Sequence, residues 1–207
     1  MGDSGCLIAF EGIEGAGKST HLHAAATVLR QRGRDVVETR EPGGTPLGLE
    51  LRRLLMDRPD APPTPLTELL LYLADRAQHV SEIIQPAVAR GTVVLTDRFS
   101  ASTIAYQGYA RGMDLKTVMQ LDAIARQGIS PTMTLLLDCP VAIGLQRVRG
   151  NDRFHQEEHA FHERVRAGFL SLARQDADRY CVIDATRPND CVRDEVVTAV
   201  LKCLQRT

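Results

Sequence analysis

No stretch of this chain approaches the ~20 consecutive apolar residues that span a bilayer, so no membrane helix is expected. Charge of one sign is not in excess either. Lys and Arg number 25 against 26 Asp and Glu, a net charge of −1. Such a chain has no global field for nucleic acid or an anionic membrane, and any bound anion must be held by locally gathered arginines. The five cysteines are odd in number and form no C-x-x-C pair, the usage of free thiols in a reducing cytosol. The first residues are polar and the apolar run Cys6–Phe10 is short, so no signal peptide is expected. Repeats, low-complexity tracts and linkers are also missing. One domain over residues 1–207 is therefore expected, with enough chain for one sizeable core.

What is present alternates. Apolar or β-branched runs at Cys6–Phe10, Asp35–Arg40, Thr92–Thr96, Met133–Leu137 and Tyr180–Ile183 read as strands. Helical patterns fall at Lys18–Arg32, Gly48–Met56, Leu66–Arg90 with a bend near Pro86, Ala101–Tyr106, Leu115–Gln127, Val141–Val148, Gln156–Asp176 and Asn189–Gln205. Glu41–Pro46 and the four-proline stretch Asp57–Pro65 read as loops. Strands alternating with helices imply a parallel sheet covered on both faces.

Between the first strand and the first helix lies Gly12-Ile13-Glu14-Gly15-Ala16-Gly17-Lys18-Ser19, which fits G-x-x-x-x-G-K-[ST]. Successive backbone N–H groups must curl round a phosphate, and glycine reaches the required angles at no steric cost. The helix that follows, opening through Thr20, adds its positive end. Lys18 is expected to reach the β- and γ-phosphates of a nucleotide, and Ser19 to bind Mg²⁺. The motif does not name a reaction, because switches and motors share it. A GTPase switch usually adds D-x-x-G and N-K-x-D, and neither occurs here.

Three further clusters suit phosphoryl transfer. Arg40 begins REPGGTP at the carboxyl end of the second strand, where open α/β sheets bind ligands. Asp97 and Arg98 end the third strand. Asp97 stands where a carboxylate supports Mg²⁺, and Arg98 offers a planar fork for phosphate. Arg147, Arg149 and Arg153 occupy a helix end and a polar loop able to close over a nucleotide. A donor site and an acceptor site, both gripping phosphates, need positioning and charge neutralisation more than covalent chemistry.

The segments FEGIEGAGKST, REPGGTPLG, ADRAQHV, DRFSASTIAYQG, LLLD and DRF, in this order over nearly the whole chain, resemble bacterial thymidylate kinases. The resemblance implies a three-layer, P-loop NTPase-type five-stranded parallel sheet with helices on both faces and a short lid at about residues 148–156. It implies ATP as donor, dTMP as acceptor, Mg²⁺ and a homodimer. It implies that Arg98 and Arg40 hold the dTMP phosphate, with Glu14 between the two nucleotides. Tyr72 would stack on thymine, Arg76 would donate to its O4 edge, and Thr103 would face the ring at a position that is Asn or Ser in some members. Tyr106 would lie under the sugar, with Gln107 nearby, and Glu41–Pro42 is a candidate cis peptide. The loop has Gly15-Ala16 and no arginine, which fits the branch with its catalytic arginine in the lid, here Arg153 with Arg149 beside it. Another nucleoside monophosphate kinase is the same-class alternative, and a phosphate-loop ATPase or switch the different-class one. His155-Gln-Glu-Glu-His159 also fits H-x-x-E-H, but it falls at the lid's end beside a full phosphate-transfer set and is read as a chance match.

Overall fold

A computed structural model describes residues 5–57, 62–148 and 157–205. Five parallel strands form one sheet: β1 (Cys6–Glu11), β2 (Val36–Arg40), β3 (Val93–Asp97), β4 (Met133–Asp138) and β5 (Tyr180–Asp184), in the order β2-β3-β1-β4-β5. β1 is buried at every position, as its unbroken apolar run demands. Alternate residues serve opposite faces. Cys6, Ile8 and Phe10 share a core with Leu22, Ala26 and Leu29 of α1 (Lys18–Gln31) and Val192 and Val196 of α9 (Asn189–Leu204). Leu7, Ala9 and Val94 pack instead with Val80, Ile84 and Ala87. Each buried Leu, Ile, Val or Phe among them is worth about 1.5–3 kcal/mol.

The order places β1 and β3 side by side, with Phe10 opposite Asp97. The chain switches direction of winding at this point, and the loop after β1 therefore opens beside the end of β3. α2 (Pro46–Met56) starts two residues earlier than its apolar pattern suggests. Pro46 suits the first turn, and Thr45 Oγ1 caps it by accepting from Gly48 N at 3.0 Å.

The long helical pattern resolves into α3 (Pro65–His79), a wide π-type turn (Val80–Ile84) and α4 (Gln85–Ala89). Pro86 cannot donate to the preceding turn, and the widened turn just before it absorbs the mismatch. A second wide turn, Ile104–Ala110, follows the short α5 (Ser100–Thr103) and carries the helical path four residues beyond the expected end at Tyr106. α6 (Leu115–Arg126), α7 (Val141–Arg147) and α8 (His159–Gln175) complete the layers.

α7 lies directly against the glycine-rich loop. A Cβ added to Gly144 would fall 2.6 Å from Glu14 O and 2.9 Å from Ile13 Cδ1. Gly144→Ala should therefore overpack this contact and lower stability by about 1–3 kcal/mol. Urea unfolding should show a lower midpoint with an unchanged slope; an unchanged midpoint would mean that the loop yields freely.

Candidate active site

The loop between β1 and α1 is built on positive φ angles: 141° at Gly12, 72° at Gly15 and 89° at Gly17. A Cβ at Gly15 would lie 1.9 Å from Gly144 O, so this position excludes side chains on two grounds. Gly17 opens α1 without any side-chain cap, and no acidic residue sits in the first turn. A helix end of this kind suits an anion. Lys18 Nζ curls back to donate to Gly12 O at 3.1 Å and Ile13 O at 2.8 Å. Burial, with Arg98 nearby, holds its pKa below the usual lysine value. Ser19 Oγ donates to Asp97 Oδ2 at 2.5 Å, so the start of α1 and the end of β3 present two hard oxygen donors side by side.

Arg98 follows with φ 75°, a left-handed conformation that costs a non-glycine residue about 1–3 kcal/mol. Its backbone is pinned on both sides: its N–H donates to Phe10 O at 3.0 Å, and its carbonyl accepts from Thr96 Oγ1 at 2.9 Å. The guanidinium donates to Gly12 O at 3.2 Å, Ser102 Oγ at 3.0 Å and Glu14 Oε1 at 2.9 Å. It also lies over the Tyr106 ring, 5.2 Å from its centroid. Glu14 Oε1 accepts a further bond from Tyr106 Oη at 2.7 Å. Burial alone would raise the Glu14 pKa; the Arg98 charge overrides it and holds the carboxyl far below the usual range.

Two cavities meet at this arginine. The larger, about 650 Å³, is lined by Glu14 to Thr20, Asp97, Arg40 and Arg147. The smaller, about 120 Å³, is lined by Tyr72, Arg76, Thr103, Tyr106 and Gln107. Glu14, Glu41, Arg52 and Arg98 border both.

Arg76 is 2% exposed, and its charge is met inside the protein. Nε and Nη2 donate to Glu41 Oε2 at 2.9 and 2.7 Å; Nη1 donates to Thr103 Oγ1 at 2.8 Å and Asp122 Oδ1 at 2.6 Å. Nε, both Nη1 hydrogens and one Nη2 hydrogen are thus engaged. These bonds use four of the five guanidinium donors, and Arg76 borders the smaller cavity. Glu41 Oε1 lies 2.9 Å from His79 Nδ1, whose Nε2 is 2.6 Å from Thr39 Oγ1. Burial would raise the Glu41 pKa, but Arg76 and His79 bring it below its ordinary value. The Glu41–Pro42 peptide is cis, as the resemblance suggested.

The expected residues sort onto this geometry unevenly. Glu14 to Thr20 and Arg147 line the larger cleft, with Arg147 Nη1 donating to Ala185 O at 2.9 Å. Gly12 and Ile13 contribute carbonyls to Lys18, while the Ile13 side chain is buried in the core. Gln107 borders the smaller cavity but spends its amide on Glu68 Oε1 at 2.9 Å. Arg40 lies at the exposed end of an edge strand and lines the larger cleft, not the smaller cavity. Arg52 borders both, donating to Pro42 O at 3.1 Å; in the sequence nothing separates it from its neighbour Arg53. Glu11, Asp122 and His79 were also missed. Only Glu11 carried a signal, a carboxylate closing an apolar run. Arg149, Arg153 and the rest of the expected lid beyond Val148, with His155, lie outside the described residues. His159 is exposed, 4.0 Å from Glu163, while His162 turns inward to 3.6 Å from Glu14 Oε2.

A parallel sheet carrying a phosphate loop, with a second small cavity sharing its Arg52 and Arg98, defines a phosphate-loop nucleotide phosphotransferase. The family model for thymidylate kinase matches residues 10–196. The chain belongs to the thymidylate kinase family. It is 48% identical to the thymidylate kinase of Geobacter sulfurreducens over 97% of this chain and 96% of that one. It is 45% identical to that of Geotalea uraniireducens over 95% and 97%. The crystal structure of thymidylate kinase from Ehrlichia chaffeensis matches with a TM-score of 0.76 at 33% identity, covering 97% of this chain and 99% of that one.

Replacing Arg76 by Met should leave Glu41 and Asp122 buried without their cation, at a cost of about 3–5 kcal/mol. The wild-type pair stabilises above the ordinary carboxylate pKa and loses that contribution as pH falls, because the folded pKa of Glu41 is depressed. The Tm penalty of Arg76→Met should therefore be largest near pH 8 and shrink near pH 5, where the orphaned carboxyls take protons. A penalty independent of pH would point to lost packing instead.

Proposed function

We propose that this chain transfers the γ-phosphoryl group of ATP to dTMP, giving dTDP and ADP. The carrying observation is the shared wall: Arg98 and Glu14 border both the phosphate-loop cleft and the small cavity beyond it. A non-bridging oxygen of the dTMP phosphate attacks the γ-phosphorus, and the bond to the β,γ-bridging oxygen breaks, leaving ADP. No general base is needed, because the attacking oxygen is already anionic.

In this reading the loop amides and the α1 N-terminus cradle the ATP phosphates. Lys18 exchanges its two carbonyl partners for β- and γ-phosphate oxygens. Arg98 and Arg52 hold the dTMP phosphate, and Arg40 acts from the donor side. Tyr72 covers the thymine face, and the spare Nη2 hydrogen of Arg76 suits thymine O4, an acceptor where cytosine offers an amine. Tyr106, tied to Glu14, occupies the space beneath the sugar. Ser19 Oγ and Asp97 Oδ2 suit Mg²⁺, a hard cation that takes oxygen ligands. When bound, it would neutralise charge on the transferring phosphates.

A homodimer and a cytoplasmic location belong to the same proposal. Exposed Leu54 of α2, Leu66 and Leu70 of α3, and Met119 of α6 lie on helices that pack side by side, an apolar face suited to a second copy. No disulfide joins the five cysteines, as a reducing compartment would leave them. No helix among the described residues is long and apolar enough to cross a membrane.

ADP release with dTMP, dUMP, CMP, GMP and AMP as acceptors tests the reading; turnover should be fastest with dTMP, and turnover indifferent to the acceptor would end it. Lys18→Ala should lower kcat by at least ~10²–10³. Leu70→Glu should shift the protein from dimer to monomer in light scattering, and an unaltered dimer would move the interface elsewhere.

A further inference from the structure

Glu11 is the last residue of β1 and is fully buried. It is no phosphate ligand, since it borders neither the phosphate-loop cleft nor the acceptor cavity. Its Oε1 accepts from Phe99 N at 2.8 Å and Ser102 N at 3.1 Å, and its Oε2 accepts from Ser102 Oγ at 2.5 Å. Phe99 is the N-cap of α5 and supplies no side-chain cap of its own, so β1 caps that helix from outside.

Two consequences follow for Arg98. Its own amide is bonded to Phe10 O and the next amide to Glu11, so the left-handed residue is stitched to β1 on both sides. The Ser102 hydroxyl is also given a direction. A carboxylate only accepts, so Ser102 must donate to Glu11 and turn its lone pairs to Arg98 Nη1, 3.0 Å away.

We propose that Glu11 is a positioning residue for the phosphoryl acceptor: its carboxylate fixes the Arg98 backbone and the polarity of the Ser102 hydroxyl, and so aims the guanidinium at the acceptor phosphate. The inference rests on the dTMP-phosphorylating reading above.

Burial pushes the Glu11 pKa up to about 7, against the pull of Ser102 and Arg98. The charged and titratable groups facing it include Arg98 after β3, Lys18 of α1 and Tyr180 of β5, and the cavity it lines on its other side also carries Asp122 and Arg126 of α6 with Asp176 and Arg179. Positioning needs the ionised form, present above about pH 7. Stability runs the other way. A carboxyl whose folded pKa is raised contributes most at low pH and loses that contribution as pH rises through the folded value. A merely structural cap and a positioning residue therefore predict different behaviour for Glu11→Gln, which is neutral at every pH.

The experiment measures kcat and KM for dTMP and ATP, with Tm, in wild type, Glu11→Gln, Ser102→Ala and the double variant. At about pH 8, Glu11→Gln should lower kcat/KM for dTMP by ~10–100-fold, change KM for ATP by less than about twofold, and leave Tm equal or higher. The ratio of wild type to Glu11→Gln should shrink toward one below about pH 6, where Glu11 is protonated; titration of dTMP itself cancels in that ratio. Ser102→Ala should show the same dTMP-side loss, and the double variant should cost no more than the worse single one. A Glu11→Gln enzyme equal to wild type near pH 8, a ratio constant with pH, or additive losses in the double variant would overturn the proposal. If Glu11→Gln does not fold, Ser102→Ala decides alone, and wild-type kinetics there overturn it. Wild type inactive toward dTMP would instead sink the functional reading.

Discussion

The Arg98 guanidinium stands where the two cavities join, and its placement governs the geometry around it. A cation here must be buried enough to act strongly and held firmly enough to point one way. Three acceptors from the loop and α5 do the holding, and the Tyr106 ring supports one face. The left-handed backbone at Arg98 is the cost of turning the chain sharply at the end of β3. It persists because β1 accepts from the amides on both sides and Thr96 donates to the carbonyl.

Arg76 is held by a different economy. Its charge is almost wholly spent on Glu41, Asp122 and Thr103 from three separate elements. Such a network adds little net stability over an apolar core, but it leaves few alternatives in arrangement. One N–H lies outside this set, its direction fixed by the four that are engaged. His79 and Thr39 extend the network to β2, so the REPGG loop, α3 and α6 are set relative to one another by polar contacts rather than by apolar fit alone.

Local rules were enough wherever a residue's role depends on its neighbours in the chain. The five strands are runs of apolar and β-branched residues, and their alternation with helices fixes a parallel sheet. The glycines of the phosphate loop are legible because the positive φ angles at Gly12, Gly15 and Gly17 are a backbone demand. Boundaries slipped where polar contacts or the widened turns decided them: Thr45 capping α2 early, and Ile104–Ala110 carrying the helical path beyond Tyr106.

The sequence by itself therefore determined the sheet, the phosphate loop and, through motif resemblance, the family, and it pointed to the residues from Tyr72 to Gln107 that line the smaller cavity. Tertiary structure alone decided which charges meet. Arg52 and Arg53 are equivalent in the chain, yet only Arg52 reaches both cavities, because α2 packs one side toward the cis-peptide loop. Arg40 ends β2 and Arg98 follows β3, yet the edge position of β2 leaves one exposed while the interior position of β3 half-buries the other. Glu11 reads as a carboxylate at the end of a strand until Phe99 and Ser102, far along the chain, are folded onto it. Hydrogen bonds and ion pairs act over a few ångströms, so their partners are set by the packing of distant segments.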